Sequence, residues 1–281
     1  MKRQHLQERV EFWRYPEHEN LEIMHATYFT HAFAPHSHSY FATSIIDRGV
    51  GTIWYRGTTH LAPAGSLVLL NPGEVHTGQV YSKNGWAYRA LYPHMELIRS
   101  IAGNITERFA KSYFFPNPII TDPEIASFLH RLHAALVNEA STLERESWLL
   151  WSYTALLTRY AECPLSLPSG RKEPQAVKLA REYIEAHFAQ NISLSQLASL
   201  TGLTSYHLVR VFHNTMGLPP HAYLNQIRLM QAKNLLLAGT PIISVASETG
   251  FTDQSHLTRR FKRVYGITPG QLLSSSKNMQ D

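Results

Sequence analysis

The last third of the chain contains one pattern twice, NISLSQLASLTGLTSYHLVRVF at residues 191–212 and TPIISVASETGFTDQSHLTRRF at residues 240–261. Equivalent positions are 48 residues apart up to the glycine in the middle of each copy and 49 apart in the second half. One residue is therefore inserted near Asp253. Apolar residues recur at three- and four-residue steps on both sides of that glycine, as they do in amphipathic helices. The pattern predicts two helix-turn-helix units, called here the first and second repeat.

Each repeat has residues that suit the start and the turn of such a unit. Ser193 and Gln196 have the spacing of a capping box at the start of a helix. Gly202 and Gly250 supply the residue that tolerates a positive φ where that helix ends. One further cap is predicted for the second helix of each repeat, Thr204 in the first repeat and Asp253 in the second.

The side chains predicted to point outward on the second helices are those that bind nucleic acid. Ser, Thr, Gln and Arg hydrogen-bond base edges, and Lys and Arg neutralise phosphates. The alternative is a helical dimerisation bundle with a solvated basic face, but a bundle does not need two glycine turns at matching positions. The predicted DNA-binding residues are Ser205, Tyr206, Val209, Arg210, Gln254, Ser255, His256, Thr258, Arg259, Lys262 and Arg263.

A long helix is predicted between the repeats, from Pro219 and Pro220 through Leu237 to Gly239. As a rigid connector it would hold the two second helices at a fixed separation. A separation of about 34 Å would place them in successive major grooves. We expect its apolar residues Tyr223, Ile227, Met230 and Leu235 to face the repeats. We expect its polar residues to be solvated, namely Asn225, Arg228, Gln231 and Lys233.

The charge of the chain is unevenly distributed. Residues 1–170 contain 14 Lys and Arg against 15 Asp and Glu, a balance of −1, whereas residues 171–281 contain 12 against 6, a balance of +6. The positive excess favours a polyanion partner for the C-terminal region. The single cysteine, Cys163, gives no disulfide or metal cluster. With no signal peptide or membrane segment apparent, we expect a cytoplasmic protein.

The region from about 175 to 275 closely resembles the AraC/XylS family of transcription regulators. The resemblance is carried by residues 194–200, 208–217 and 232–236, and most specifically by VASETGF at 245–251 with FKRVYGITP at 261–269. It implies double-stranded DNA and RNA polymerase as partners, a role in activation, and a possible homodimer. By the same resemblance, Tyr206, Val209 and Arg210 contact bases in the first repeat. In the second repeat the corresponding residues are Gln254, Ser255, His256, Thr258 and Arg259.

Residues 20–92 contain short β-rich runs that are separated by Gly, Pro and Asn, which favours an all-β barrel or sandwich. The breaks are predicted at Arg48-Gly49, Arg56-Gly57, 63–65 and 71–73. The stretches PHSH at 35–38 and GSLVLLNPGEVH at 65–76 resemble the two motifs of a cupin barrel, the usual sensor domain of AraC-like regulators.

The cupin resemblance places His36, His38 and His76 at three metal-ligand positions, but no glutamate is found near Ala42 or Thr43. Three interpretations are open: a polar pocket for a small effector, a three-histidine metal site, or structural histidines. The first is preferred, with no metal and no cofactor. Aromatic residues predicted to line the pocket are Trp54, Trp86 and Tyr88. Alternation along 86–92 places Trp86 and Tyr88 on one face and Arg89 on the other.

Two helices are predicted in residues 123–162, with Asp122 as the cap of the first, forming a hairpin that could mediate dimerisation. The Pro-rich stretch 163–174 is the predicted linker. The expected fold is multidomain α and β. Residues 1–162 form a cupin-like β-barrel with the helical hairpin, and residues 175–281 form an all-α domain with two helix-turn-helix units.

These features favour an effector-responsive, sequence-specific DNA-binding regulator that is not an enzyme. A metal-dependent cupin enzyme fused to a DNA-binding domain is the alternative, weakened by the missing glutamate and the lack of a paired carboxylate. A third possibility is a regulator without an effector, whose barrel serves only to dimerise.

Overall fold

A computed structural model describes residues 8–81, 84–104, 113–138, 140–162, 174–265 and 268–277. These residues form two compact units. Unit one runs to Val137 and resumes at Trp148, whereas unit two contains residues 138–147 and everything from Pro174 onward. The predicted linker at 163–174 lies outside the described residues except for Pro174.

Unit one is built on nine antiparallel strands. One ladder has the order β1-β2-β8-β4-β6-β9, and a second joins β3 to β7, β7 to β4 and β4 to β5. The strands are β1 (Arg9–Tyr15), β2 (Leu21–Tyr28), β3 (Ala32–His36), β4 (Ala42–Tyr55), β5 (Thr58–Pro63), β6 (Leu67–Leu70), β7 (His76–Val80), β8 (Trp86–Tyr92) and β9 (Ile119–Ile120).

Strand β4 belongs to both ladders. Its first part pairs with β6 and β8, and its last six residues, 50–55, pair with β5 and β7. The break predicted at Arg48-Gly49 is wrong, because β4 continues through it with only a register shift against β8. Among the described residues the ladders end at β1, β9, β3 and β5, so the sheet is not closed into a complete barrel.

One face of this sheet carries an apolar cluster of buried residues. Trp86, Tyr88 and Ala90 on β8 point into it, as the alternation predicts, together with Ile53 and Tyr55 on β4. On the opposite side Arg89 donates to Asp47 at 2.6 Å. The alternation thus places one row of β8 in this cluster and the other row on the opposite face, where Ala87 and Leu91 are also buried.

Three helices follow the strands: α1 (Met95–Gly103), α2 (Pro123–Val137) and α3 (Thr142–Tyr160). The two helices predicted in 123–162 are confirmed. Asp122 caps α2 as expected, because its Oδ1 accepts from the backbone N–H groups of Glu124 at 3.1 Å and Ile125 at 3.0 Å. Helix α2 contacts β4 and β8.

A cluster of histidines lies where α2 meets the sheet. His130 Nε2 is 2.8 Å from Asp47 Oδ1. His133 is buried, with its ring edge-on to Trp13 at 5.9 Å and to His25 at 6.2 Å between centroids. Burial lowers the pKa of His133 to about 4, and the positive charge of Arg89 acts in the same direction. Helix α2 therefore packs against β1 and β2 through a neutral imidazole.

Unit two is helical throughout its described length, as predicted for the residues after the linker. Its core includes Leu229 and Ala232 of the connector and Leu257 and Phe261 of the second repeat. The helices are α4 (Pro174–His187), α5 (Leu194–Thr201), α6 (Ser205–Met216), α7 (Pro220–Leu237), α8 (Ile242–Glu248), α9 (Gln254–Tyr265) and α10 (Pro269–Lys277).

The connector α7 begins and ends where expected, but the faces predicted for two of its residues are wrong. Met230 is 45% exposed, whereas Arg228 is only 3% exposed. The Arg228 guanidinium donates from Nε to the carbonyl of Phe188 at 2.7 Å and from Nη2 to the carbonyl of Gln190 at 2.8 Å. Burial lowers its pKa to about 10, so it remains a cation at neutral pH. Two carbonyl acceptors after α4 thus hold a buried charge.

Candidate nucleic-acid interface and ligand pocket

The first repeat consists of α5 and α6. Ser193 Oγ accepts from the Gln196 N–H at 3.1 Å, and the Gln196 side chain accepts from the Ser193 N–H at 2.8 Å, which confirms the capping box. Gly202 ends α5 with a φ of 67°. Thr204 then caps α6 by accepting from the His207 N–H at 3.3 Å. These local interactions fix the turn between the two helices.

The outer face of α6 offers few side chains to a partner. Ser205, Tyr206 and Arg210 are all partly exposed. Val209 is buried at 4% exposure, so its prediction as a DNA-binding residue is corrected. Its position, one residue after Leu208, turns it into the core of the repeat.

The second repeat consists of α8 and α9. Gly250 follows α8 with a φ of 75°, and a Cβ added there would come within 2.6 Å of the Ala189 carbonyl oxygen. Asp253 begins α9, because its Oδ1 accepts from the His256 N–H at 2.6 Å. Gly250 is therefore required both for its backbone conformation and for the close approach of the chain after α4.

The outer face of α9 is rich in donors and positive charge. Its exposed side chains can reach both base edges and phosphates. Thr258 is partly exposed. His256 is only 6% exposed, so the prediction that it points outward is wrong. Burial lowers the pKa of His256 to about 4, and Arg260 and Arg259 lower it further. The fully exposed residues of the predicted set are Gln254, Ser255, Arg259, Lys262 and Arg263.

Behind this face, α9 is fixed by a buried polar network in unit two. Arg260 Nη2 donates to Glu144 Oε2 at 2.7 Å, and Asn225 Nδ2 donates to the same oxygen at 3.1 Å. Burial opposes ionisation of Glu144, but Arg260 and His221 outweigh that effect and hold its pKa below the usual value. This network has no local sequence signal, because Glu144 is 116 residues from Arg260 in the chain.

Glu146 makes a second contact from the same segment. Its Oε2 accepts from the backbone N–H of Leu194, the first residue of α5, at 2.5 Å. That N–H belongs to the group of donors that a helix leaves unpaired at its start. Residues 138–147 therefore contact both repeats of unit two.

Unit one contains a pocket of about 260 Å³ that is lined in part by residues of the apolar cluster of the sheet. Aromatic rings form part of its wall, including Phe33, Trp86, Tyr88 and Tyr92. Burial raises the pKa values of Tyr88 and Tyr92, so both hydroxyls stay protonated. The predicted pocket residues that line it are His36, His38, His76, Trp86 and Tyr88.

The prediction that Trp54 lines the pocket is wrong, because Trp54 is not among the lining residues and is 40% exposed. On β4 it alternates with Ile53 and Tyr55, which both point inward. Residues that the sequence analysis did not assign to the pocket also line it, among them Glu22, Phe33 and Tyr40. The alternation along β2 and β8 could have identified some of these residues, but only if their pairing had been known.

The three predicted histidines come together at the pocket. Ring centroids are 4.4 Å apart for His36 and His76, 4.8 Å for His38 and His76, and 6.1 Å for His36 and His38. Each Nδ1 contacts a backbone carbonyl two residues away: Ala34 at 2.8 Å, Tyr40 at 2.7 Å and Glu74 at 3.0 Å, respectively.

Charge at the cluster is low. Burial lowers the pKa of His38 to about 4 and also lowers that of His76, and repulsion from neighbouring imidazoles adds to both shifts. Within the described residues, no three or more His, Cys, Asp or Glu side chains are grouped so that they could hold a metal ion. The arrangement is that of a polar corner in an aromatic pocket.

A ligand pocket in a β-rich unit, joined to a helical unit with two helix-turn-helix repeats, defines a DNA-binding transcription regulator with a ligand-binding domain. Residues 20–152 match the family model of the AraC-like ligand binding domain, and residues 197–275 match a helix-turn-helix domain model. The chain belongs to the AraC family of transcription regulators.

Curated relatives of similar length support this assignment. The HTH-type transcriptional regulator YbfI of Bacillus subtilis (strain 168) is 30% identical over 225 residues, which cover 80% of this chain and 81% of YbfI. The HTH-type transcriptional activator RhaS of Escherichia coli O81 (strain ED1a) is 23% identical over 245 residues, which cover 84% of this chain and 86% of RhaS.

Among solved structures, a probable AraC family transcriptional regulator from Rhodopseudomonas palustris CGA009 is 32% identical. The alignment covers 36% of this chain and 96% of that one, with a TM-score of 0.34. Across the described residues, no helix combines the length and the apolar character needed to cross a membrane.

Proposed function

We propose that a small molecule binds in the aromatic pocket of unit one and changes how α6 and α9 bind DNA. The pocket itself supports this proposal, because it lies in the region that matches an AraC-like ligand binding domain. Helix α3 could transmit this change, since its first residues belong to unit two and the same helix continues into unit one at Trp148. Any shift of α3 would change the position of Glu144 and Glu146.

We propose that α9 makes most of the base and phosphate contacts, through Gln254, Ser255, Arg259, Lys262 and Arg263. The α6 contribution is smaller and comes from Ser205, Tyr206 and Arg210, with Thr258 of α9 in a supporting position. This asymmetry follows from exposure and charge: α9 presents three exposed cations, whereas Val209 is turned into the core.

Assembly, domain limits and compartment are also proposals. Residues 1–162 act as the effector-sensing domain, 163–174 as the linker and 175–281 as the DNA-binding domain, with the helices of 123–162 pairing two copies. Activation through RNA polymerase is supported by the likeness to the activator RhaS. A cytoplasmic location is supported by the likeness to DNA-binding regulators of bacteria.

A regulator without catalytic activity is preferred to a metal-dependent enzyme fused to a DNA-binding domain. The relatives are transcriptional regulators, and among the described residues no three or more His, Cys, Asp or Glu side chains are grouped so that they could hold a metal ion.

Footprinting tests the proposal directly. DNA upstream of the chain's own gene and of the neighbouring genes is probed with the full-length protein, with and without candidate metabolites. We expect protection of two half-sites and a change in protection or affinity with at least one metabolite. Absence of any protected site at low salt would contradict the DNA-binding part of the proposal. Protection that no metabolite alters would instead favour the regulator whose barrel only dimerises.

A further inference from the structure

The histidines of the pocket limit which ligand can bind there, if the pocket is the effector site proposed above. A backbone carbonyl can only accept a hydrogen bond, so each Nδ1 that contacts one must carry the proton. The Nδ1 atoms of His38 and His76 both make this contact. In a neutral ring the proton on Nδ1 leaves Nε2 as an acceptor. Both imidazoles therefore offer a lone pair and no donor.

His36 extends this pattern to the mouth of the pocket. Its side chain is exposed, and its Nδ1 contacts the Ala34 carbonyl in the same way. None of the described hydrogen bonds uses the Nε2 atom of these three rings. In the neutral state the cluster is thus a set of acceptors whose tautomer is fixed by the local backbone.

The other polar groups of the pocket make it a poor site for an anion. Glu22 is the one carboxylate among the described lining residues, and neither Lys nor Arg lines the pocket there. A bound carboxylate or phosphate would lose its hydration without gaining a counter-charge. The hydroxyls of Ser44, Tyr88 and Tyr92 can either donate or accept a hydrogen bond. The histidines, which can only accept, therefore determine that the pocket prefers a ligand with donor groups.

The walls and the volume limit the body of the ligand. Trp86, Tyr88 and Tyr92 offer ring faces that stack on an aromatic ring or attract a cation. An engineered apolar cavity of about 150 Å³ holds benzene. A pocket of about 260 Å³ therefore has room for one ring with short substituents.

We propose that this pocket selects a ring compound, uncharged or cationic, that carries hydroxyl or amine donors, and that His38 and His76 accept hydrogen bonds from those donors through Nε2. Carboxylates and phosphates are excluded at neutral pH. Hydroxyl groups and an ammonium group can both donate hydrogen bonds to these histidines. They differ in charge, and only the ammonium group is attracted by the Glu22 carboxylate. A cation would gain the Glu22 charge and the ring faces as well.

Four probes of matched size separate these possibilities in calorimetric titrations of the full-length protein at neutral pH. Catechol carries two hydroxyls, benzylamine an ammonium group, toluene no donor and benzoate a negative charge. We expect catechol or benzylamine to bind about tenfold more tightly than toluene, since about one net hydrogen bond separates them. We expect no measurable binding of benzoate. Binding of benzoate or toluene as tight as that of the better donor would overturn the proposal.

Substitution of single histidines tests the named atoms. His38→Phe and His76→Phe keep a ring but remove the acceptor, and each should weaken binding of the donor probe about tenfold. His187→Phe is the matched control, because His187 Nδ1 contacts the Tyr183 carbonyl at 3.0 Å on α4, outside the pocket. Circular dichroism checks that each variant folds. Donor binding that survives both pocket substitutions overturns the role of these imidazoles.

Nitrogen-15 NMR of histidine-labelled protein tests the same point without a ligand. His38 and His76 should show a protonated Nδ1 and an unprotonated Nε2, and the opposite tautomer would overturn the inference. If none of the four probes binds while the protein still binds its operator, only the ligand assignment fails. If operator binding is also absent, the proposed function fails with it.

Discussion

At the scale of single residues, Arg259 and Arg260 are neighbours in sequence but point to different surroundings. Arg259 is exposed on α9, whereas Arg260 donates to the buried Glu144. We expect Arg259→Ala to cost about 1–3 kcal/mol of operator affinity and to relax base preference at one position. Fluorescence anisotropy with specific and scrambled DNA measures both effects.

Arg9→Ala is the control for this change, because Arg9 is an exposed residue of β1 in unit one. It should leave DNA affinity unchanged. If Arg259→Ala also leaves specific affinity unchanged, the assignment of α9 as the main recognition helix is wrong.

Gly202 and Gly250 form a natural pair for a stability test. Both have a positive φ, but a Cβ on Gly202 meets nothing within 4 Å, whereas a Cβ on Gly250 meets the Ala189 carbonyl oxygen at 2.6 Å. Gly202→Ala should cost about 1–2 kcal/mol for the backbone conformation alone. Gly250→Ala should cost clearly more, since the chain after α4 must move. Urea unfolding measures the difference, and equal losses would contradict the close approach.

At the scale of elements, the contact between residues 138–147 and α9 predicts a loss of stability when its charge is removed. Glu144→Gln leaves Arg260 without an anionic partner, and we expect a loss of about 2 kcal/mol. Glu182→Gln on α4 is the control, because that carboxylate is exposed and lies 3.8 Å from Lys178. The control should change stability by less than about 0.5 kcal/mol. Denaturant titrations followed by tryptophan fluorescence compare the two variants.

The packing of α2 on the sheet through its own residue His133 predicts that the stability of the protein depends on pH. The folded protein holds the pKa of His133 at about 4 against 6.5 in the unfolded chain, so the unfolded state binds more protons between these values. Stability is therefore complete above about pH 6.5 and falls as the pH drops toward 4. His133→Phe should flatten this part of the curve by up to about 1.4 kcal/mol per pH unit. An unchanged slope would contradict the assignment of a neutral, buried imidazole.

Local sequence was sufficient where an element depends on its own residues, as the caps at Ser193 and Asp122 and the helices of 123–162 show. It failed where partners are distant in the chain. The α7 face was assigned from apolar content, yet Arg228 is buried because carbonyls 40 and 38 residues earlier accept from it. Strand β4 was divided at Gly49, because turn preference is local and pairing with β8 is not.

At the scale of the whole molecule, the charge distribution predicts how DNA binding responds to salt. The excess of positive charge lies in residues 171–281, with a balance of +6, whereas the rest of the chain has −1. We expect the logarithm of the DNA affinity to fall linearly with the logarithm of the salt concentration, with a slope of about −0.9 per phosphate neutralised. Lys262→Ala should make that slope smaller by about one and weaken all sequences alike. Affinity independent of salt would contradict an interface formed by α9.

The pocket and the interface were predictable to different degrees. The three pocket histidines could be predicted because their sequence motifs resemble those of a cupin barrel, and all three line the pocket. Trp54 was misplaced, since an aromatic residue on a strand has equal chances of either face until its neighbours are known. In the same way, Val209 and His256 were expected to point outward although both are buried.

The contacts of residues 138–147 bear on protein engineering. A DNA-binding module cut at the linker would lose Glu144 and Glu146, and with them the partners of Arg260 and of the first N–H of α5. We therefore expect a C-terminal module cut at the linker to be less stable than the same module with residues 138–147 attached. A chimaera should carry this short stretch along with the helices that it contacts, because Glu144 and Glu146 contact both repeats.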